Sequence, residues 1–191
     1  MKVEFQPWKR ALEAAKKGQY DGLMGAYYDQ QRTQYFRYTD PIMENKDVFI
    51  GLKNGIQSYK ELNELKAYRI GVIRGASYAD ELIAQGFTVV EANDDLQSLR
   101  MLLKERLDLV LMSQTHFKYL LKNQDDLSKS QTELVILEQP FRVVPLYCLI
   151  SLSRDDNKEI VERFNQALES LKENGSWDKI LERYSFLSSE G

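Results

Sequence analysis

An aspartate and an arginine three residues apart, Asp29 and Arg32, form the pair whose types and spacing best suit binding chemistry. They lie within DGLMGAYYDQQRTQYFRYTDP, residues 21–41. Asp29 can cap a helix by accepting a hydrogen bond from a free first-turn N–H. Arg32 then falls in that first turn, where the helix dipole favours negative charge. A cation there needs another reason. Its planar fork matches a carboxylate bidentately, so anion binding is one reason; an ordinary solvated arginine is the competing reading. Gly75-Ala76-Ser77-Tyr78 and Met112-Ser113 also read as helix starts, where free N–H groups attract anions. For acid–base work the candidates are Asp29 and His116, the latter three residues after Ser113 on one helix face. A packing or surface role is the competing reading of His116.

Composition narrows the classes. The 191 residues suffice for one large domain or two small lobes. Hydrophobic residues make up 43% and charged residues 29%, ordinary for a soluble globular chain. A formal net charge of −3 gives no basic field for nucleic acid. No apolar run approaches the ~18 residues that span a membrane, and MKVEFQPWKR has no signal-peptide core. The single Cys148 excludes an internal disulfide, and the single His116 excludes a histidine metal cluster. No CxxC, HExxH, P-loop or GxGxxG motif is present.

The elements that must position these residues follow from periodicity and punctuation. Residues 3–5 read as the end of a strand. Pro7 opens a helix from Trp8 to Lys17, with Ala11, Leu12 and Ala15 on one face and Gly18 as its stop. A strand from Leu23 and a helix after Asp29 follow. Asp47–Leu52 reads as a strand and Asn54-Gly55 as a turn. Ser58 and Glu61 form a capping box for a short helix to Leu65. Further strands are expected at Arg69–Ile73, Thr88–Glu91, Leu107–Met112, Glu133–Leu137 and Leu146–Leu152, the last entered through Pro145. Between and after them come helices capped by Ser77, by Asp94 or Asp95, and by Ser113, then Asp156–Glu173. A last helix from Ser176 turns Trp177, Ile180 and Leu181 inward. This alternation predicts parallel sheets covered on both faces. Ligands then sit beyond the carboxyl ends of strands, at Tyr28–Arg32, Gly75–Tyr78 and Met112–Ser113.

Four segments in this order resemble the bacterial extracellular solute-binding proteins, family 3, of the polar-amino-acid type. They are PWKRALEAAKKGQYDGLMGAYYDQQR, YTDPI, LKAYRIGVIRGASYADEL and NKEIVERFNQALESLKENGSWDKILERY. Each is weak alone, but together they cover essentially the whole chain. The resemblance implies an α/β, two-lobe, type II periplasmic-binding-protein-like fold. Lobe 1 would be residues 1–47 and 145–191, and lobe 2 residues 48–144. A small polar solute, an amino acid or related small carboxylate, would lie in the cleft between them. Closure about two hinge strands would be what an ABC permease reads. The family also implies a periplasmic location, no catalysis and no cofactor.

Residue by residue, the resemblance makes Arg32 the clamp on the ligand's carboxylate and Trp8 the aromatic packed on the ligand. Gly25, Ala26 and Tyr27 would offer backbone and hydroxyl contacts, although Tyr27 and Tyr28 also read as core aromatics. Gly75, Ala76, Ser77 and Tyr78 would form the lobe 2 carboxylate site. Two departures stand out. Ser113 occupies the place of an aspartate that pairs with the ligand's ammonium, and a buried ammonium without a carboxylate is costly. Asp29 stands where the family has threonine. Both point away from a standard α-amino acid, toward another small carboxylate or amine.

The family has a further strand and helix ahead of residue 3, so lobe 1 is expected to be incomplete at its N-terminus. Truncation is the favoured explanation; a strand-swapped homodimer follows if the N-terminus is native, and a degenerate fragment is the third. A sensor module and a dehydratase-type enzyme on the same fold are the alternative functions. The end at Ser188-Ser189-Glu190-Gly191, without a transmembrane or kinase segment, favours the free-standing receptor.

Overall fold

In a computed structural model, residues 2–183 are described. In chain order the elements are α1 (Trp8–Lys16), β1 (Gly22–Tyr27), β2 (Phe36–Tyr38), β3 (Met43–Leu52), β4 (Arg69–Ile73), α2 (Ala79–Ala84), β5 (Thr88–Ala92) and α3 (Asp95–Leu103). There follow β6 (Leu109–Ser113), α4 (Gln114–Asn123), α5 (Asp125–Lys129), β7 (Leu134–Ile136), β8 (Arg142–Ser151), α6 (Asn157–Glu173) and α7 (Ser176–Arg183). The chain divides into two compact units. Unit 1 is Met1–Ala11 with Asn45–Val144, and unit 2 is Leu12–Glu44 with Pro145–Gly191. The division falls inside α1, β3 and β8. Among the described residues no helix is long and apolar enough to cross a membrane.

Unit 1 is built on the strand order β5-β4-β6-β3, with β7 on the far side of β3. β4 runs parallel to β5 and β6, whereas β3 is antiparallel to β6 and β7. Leu109, Val110, Leu111 and Met112 are all at most 1% exposed, so β6 is covered on both faces. Val48, Ile50, Leu99, Leu102, Phe117 and Leu120 pack around it from β3, α3 and α4. Arg69 Nε and Nη2 reach Asp108 at 2.9 and 2.8 Å, tying the start of β4 to the residue before β6. That hydrogen bonding holds the Asp108 carboxyl below its usual range.

Unit 2 places the 145–151 part of β8 between β1 and β2, antiparallel to both. Ala15, Phe36 and Leu149 are at most 2% exposed, and α6 packs on β2 with Val161 and Leu168 inward. Ser151 Oγ donates to the Ala15 carbonyl at 3.1 Å, anchoring the end of β8 to α1. Cys148 is buried, and desolvation pushes its thiol up to about 11, so it acts as a small hydrophobe. A Cβ at Gly22 would lie 2.0 Å from the Leu149 carbonyl oxygen, a backbone atom. Gly22→Ala is therefore expected to push β1 off β8 and cost about 1–3 kcal/mol, read as a lower urea midpoint with unchanged slope.

Several local expectations are corrected. Residues 3–5 form no strand; Val3 and Phe5 are 53% and 96% exposed, and none of the described residues pairs with them in a ladder. The segment after Asp29 is a 3-10 turn, Gln30–Gln34, not an α-helix. The capping box is Glu61 with Glu64, opening a 3-10 turn over Leu62–Ala67, rather than Ser58 with Glu61. Parallel pairing joins β4 to β5 and β6, whereas β8 meets β1 and β2, and β3 meets β6 and β7, antiparallel, so the sheets are not wholly parallel as expected. β8 starts at Arg142, so Pro145 lies within the strand instead of opening it. Ile180 is 39% exposed while Leu181 is buried. The end of the tail segment, from Tyr184, and residues 188–191 lie outside the described residues.

Candidate functional site

In unit 2 the candidate residues are set by the end of β1. Its register against β8 breaks between Met24 and Ala26, with Gly25 between them at φ +76. A Cβ there would meet nothing within 4 Å, so backbone conformation, not space, selects glycine. The bulge is followed by half-buried Tyr27 and by Tyr28, which is 54% exposed. Asp29 then caps the 3-10 turn: Oδ1 accepts from Gln31 N at 2.9 Å, and Oδ2 lies 3.2 Å from Arg32 Nε. Arg32 is 6% exposed, which removes the reading of it as a solvated surface arginine. A first-turn guanidinium is tolerated because the capping carboxylate is its counter-ion.

A tyrosine cluster meets Asp29 through Tyr38. The Tyr38 hydroxyl accepts from Asp29 N at 3.2 Å and lies 3.3 Å from the Asp29 carbonyl. Ring centroids are 5.1 Å apart for Tyr28–Tyr38 and 5.6 Å for Tyr38–Tyr147, giving a tilted three-ring cluster. Burial pushes the Tyr38 phenol above its ordinary value, opposed by the Asp29 backbone bond and the Arg32 charge. Tyr38 is thus a neutral hydroxyl at physiological pH.

In unit 1 the turn after β4 holds Gly75 at φ +81, and Ala76 N donates to the Ile73 carbonyl at 3.1 Å. The Trp8 indole N–H donates to the Gly75 carbonyl at 3.1 Å, which links the first residues of the chain to this turn. Ser77 is exposed and caps nothing, a correction: α2 starts at Ala79, after Tyr78, without a side-chain cap. The turn closed by Ala79 N on the Ala76 carbonyl delays the helix by two residues. Tyr78 is buried, its hydroxyl 3.4 Å from the Leu111 carbonyl. Ser113 does cap α4, accepting from His116 N at 3.3 Å. Its Oγ also donates to Asn45 Oδ1 at 2.6 Å. Asn45 Nδ2 donates to Asp47 Oδ1 at 3.0 Å, and Arg142 Nε donates to Asp47 Oδ2 at 2.8 Å.

His116 Nδ1 lies 2.7 Å from Asp95 Oδ2, and its ring stacks beside Tyr119. With Phe5, Trp8 and Asp94 this pair lines an open pocket of about 390 Å³ in unit 1. Tyr38, Tyr147, Asn45, Asp47 and Arg142 were not picked out from sequence as site residues. Asn45 and Asp47 stand two apart on one face of β3, a signal available in principle. Arg142 left none, because 95 residues separate it from Asp47. In each unit, paired arginine and carboxylate groups, tyrosine hydroxyls and turn amides suit holding a small charged solute.

A family model described as bacterial extracellular solute-binding proteins, family 3, matches residues 1–187. The chain is 25% identical over 175 residues to a probable histidine-binding protein of Campylobacter jejuni, covering 91% of this chain and 65% of that one. It is 28% identical over 176 residues to ABC transporter arginine-binding protein 1 of Escherichia coli, covering 91% and 69%. Thus it spans about two thirds of the length of these relatives. An amino acid ABC transporter substrate-binding protein from Streptococcus pneumoniae, solved with L-arginine, superposes with a TM-score of 0.81 at 19% identity. That superposition covers 100% of this chain and 78% of the other, and carries the fold.

Proposed function

Since the chain belongs to the bacterial extracellular solute-binding proteins, family 3, we propose that it binds a small polar solute, an amino acid or related small carboxylate, without catalysis. An ABC permease is the partner that receives the solute, and the periplasm is where it acts. The observation that carries this reading is Arg32: a guanidinium 6% exposed, held by Asp29 at 3.2 Å and bordered by tyrosines. A buried arginine in that setting suits a carboxylate ligand. Gly25, Ala26 and Tyr27 in unit 2, and Trp8, Gly75, Ala76, Ser77, Tyr78 and Ser113 in unit 1, are the further proposed contacts. Asp29 serves here as the counter-ion of Arg32 and the cap on Gln31 N, and His116 as the partner of Asp95; no acid–base role is proposed for either.

The test is a thermal-shift screen with amino acids, amines and small carboxylates, followed by calorimetry on the hits. A ligand that binds the native state raises the melting temperature. Turnover of a carbonyl substrate, or no shift with any of these classes, would overturn the reading. Ser113→Asp supplies a carboxylate at the start of α4, beside Asn45. It is expected to tighten binding of α-amino acids by about tenfold, the scale of one new charge pair. Unchanged calorimetric affinity would remove Ser113 from the ligand's ammonium end.

A further inference from the structure

The open pocket of about 390 Å³ in unit 1 is large enough for a small molecule. Phe5 and Trp8, Ile73 at the end of β4, Asp94 and Asp95 at the start of α3, and His116 in α4 line it. Phe5 is 96% exposed, so an aromatic ring stands at the pocket with most of its surface uncovered. Trp8 is fixed by its indole N–H on the Gly75 carbonyl at 3.1 Å. The charge of the lining is one-sided, since among the described residues no lysine or arginine lines the pocket. Asp95 is 8% exposed and lies 2.7 Å from His116 Nδ1. Asp94 engages a neutral donor instead: its Oδ1 accepts from Gln97 N at 2.7 Å, and it enters none of the ion pairs among the described residues. The guanidiniums nearby are paired elsewhere. Arg74 is 3.4 Å from Glu91, and Arg100, whose charge reaches Asp94, is 2.7 Å from Asp126.

We propose that this pocket binds a small organic cation, an alkylammonium or alkylguanidinium on an apolar stem. This rests on the solute-binding reading above, in which Trp8 is already a contact, and it names the charge of what unit 1 holds. With His116 neutral, the lining carries two carboxylates and no cation; protonating His116 still leaves one carboxylate over. The starts of α3 and α4 oppose this with about half a positive charge each. The pocket is therefore most negative when the imidazole is neutral. An anion is repelled by Asp94 and Asp95, and a neutral solute gains only contact with the rings. A cation gains both, a carboxylate oxygen to receive its N–H and aromatic rings beside its charge or stem. Asp94 is exposed, so its share is that of a solvent-screened pair, and several modest contacts together hold the ligand.

The experiment is calorimetry on the full chain at about pH 8.5, where an ordinary imidazole is neutral. The probes are agmatine, a guanidinium and an ammonium on a short apolar stem without a carboxylate, and uncharged 1-pentanol. Agmatine is expected to bind about tenfold or more tighter than 1-pentanol. Asp94→Asn removes the charge but keeps the helix cap, since asparagine caps as well as aspartate. Phe5→Ala removes a ring that is 96% exposed, so neither change threatens the fold. Each is expected to weaken agmatine about three- to fivefold, and the two together about tenfold or more. L-arginine identifies the source of the cation. Tighter binding than agmatine, with the same losses in the variants, makes the cation one end of the solute; weaker binding makes it a separate amine. Agmatine binding no better than 1-pentanol, or unchanged in the double variant, overturns this inference alone. Failure of the amino acids and small carboxylates of the thermal-shift screen as well overturns the solute reading with it.

Discussion

Arg32→Ala is expected to weaken binding of the small carboxylate by about 30-fold to several thousand-fold, that is ~2–5 kcal/mol. The effect is large because the lost group is a desolvated cation: Arg32 is 6% exposed and has its Nε 3.2 Å from Asp29. Stability should fall much less. The Asp29 side chain keeps 23% exposure, so its carboxylate remains hydrated, and its cap on Gln31 N is independent of Arg32. Loss of the buried side-chain stem should cost about 1–2 kcal/mol. Calorimetry on a hit from the thermal-shift screen, paired with urea unfolding, separates the two effects. Arg32→Lys keeps the charge without the planar fork and should recover only part of the affinity. Undiminished affinity in Arg32→Ala would remove the proposed clamp.

The second large effect concerns β3, the strand that carries Asn45 and Asp47. Phe49 on β3 is fully buried, edge-on to Tyr59 at 5.6 Å and to Phe141 at 5.7 Å between ring centroids. Its carbonyl accepts from Leu137 N at 2.9 Å, so the backbone is held on that side as well. Phe49→Ala removes a whole ring from a site walled by a strand ladder, which limits how far the surroundings can collapse. The expected loss is about 3–5 kcal/mol, a large part of a domain stability of about 5–15 kcal/mol. Urea unfolding should show a lower midpoint with an unchanged slope, and Phe49→Leu should restore part of it. A loss below about 1 kcal/mol would mean that the ring contributes little despite its burial.

Much of the element order was legible because local chemistry carries it. Ser113 caps α4, as its position before helical periodicity indicated, and of the two candidates Asp94 and Asp95 it is Asp94 that caps α3, through Gln97 N at 2.7 Å. β4 spans Arg69–Ile73, the residues expected. Ser77 shows the limit of such reasoning: a serine after a glycine turn is a sound cap signal, yet the chain makes one more turn and starts α2 at Ala79. Val3 and Phe5 have strand-forming side chains, but a strand requires a ladder partner, and none of the described residues supplies one.

Taken alone, the amino-acid order determined the membership of the solute-binding family, the alternating α/β character and the choice of Arg32 as the cation to watch. These depend on neighbours within a few residues, or on segments recurring in a set order, and both are written along the chain. Only the tertiary structure decided that Arg32 is buried against Asp29, that tyrosines 28, 38 and 147 gather beside it, and that Arg142 neutralises Asp47. The tyrosine cluster and the Asp47–Arg142 pair join groups through strand pairing, across 95 residues in the latter, whereas Asp29 and Arg32 are near neighbours whose burial the fold decides. Burial and counter-ion pairing are properties of atoms brought together by folding, and they set the charge a ligand meets.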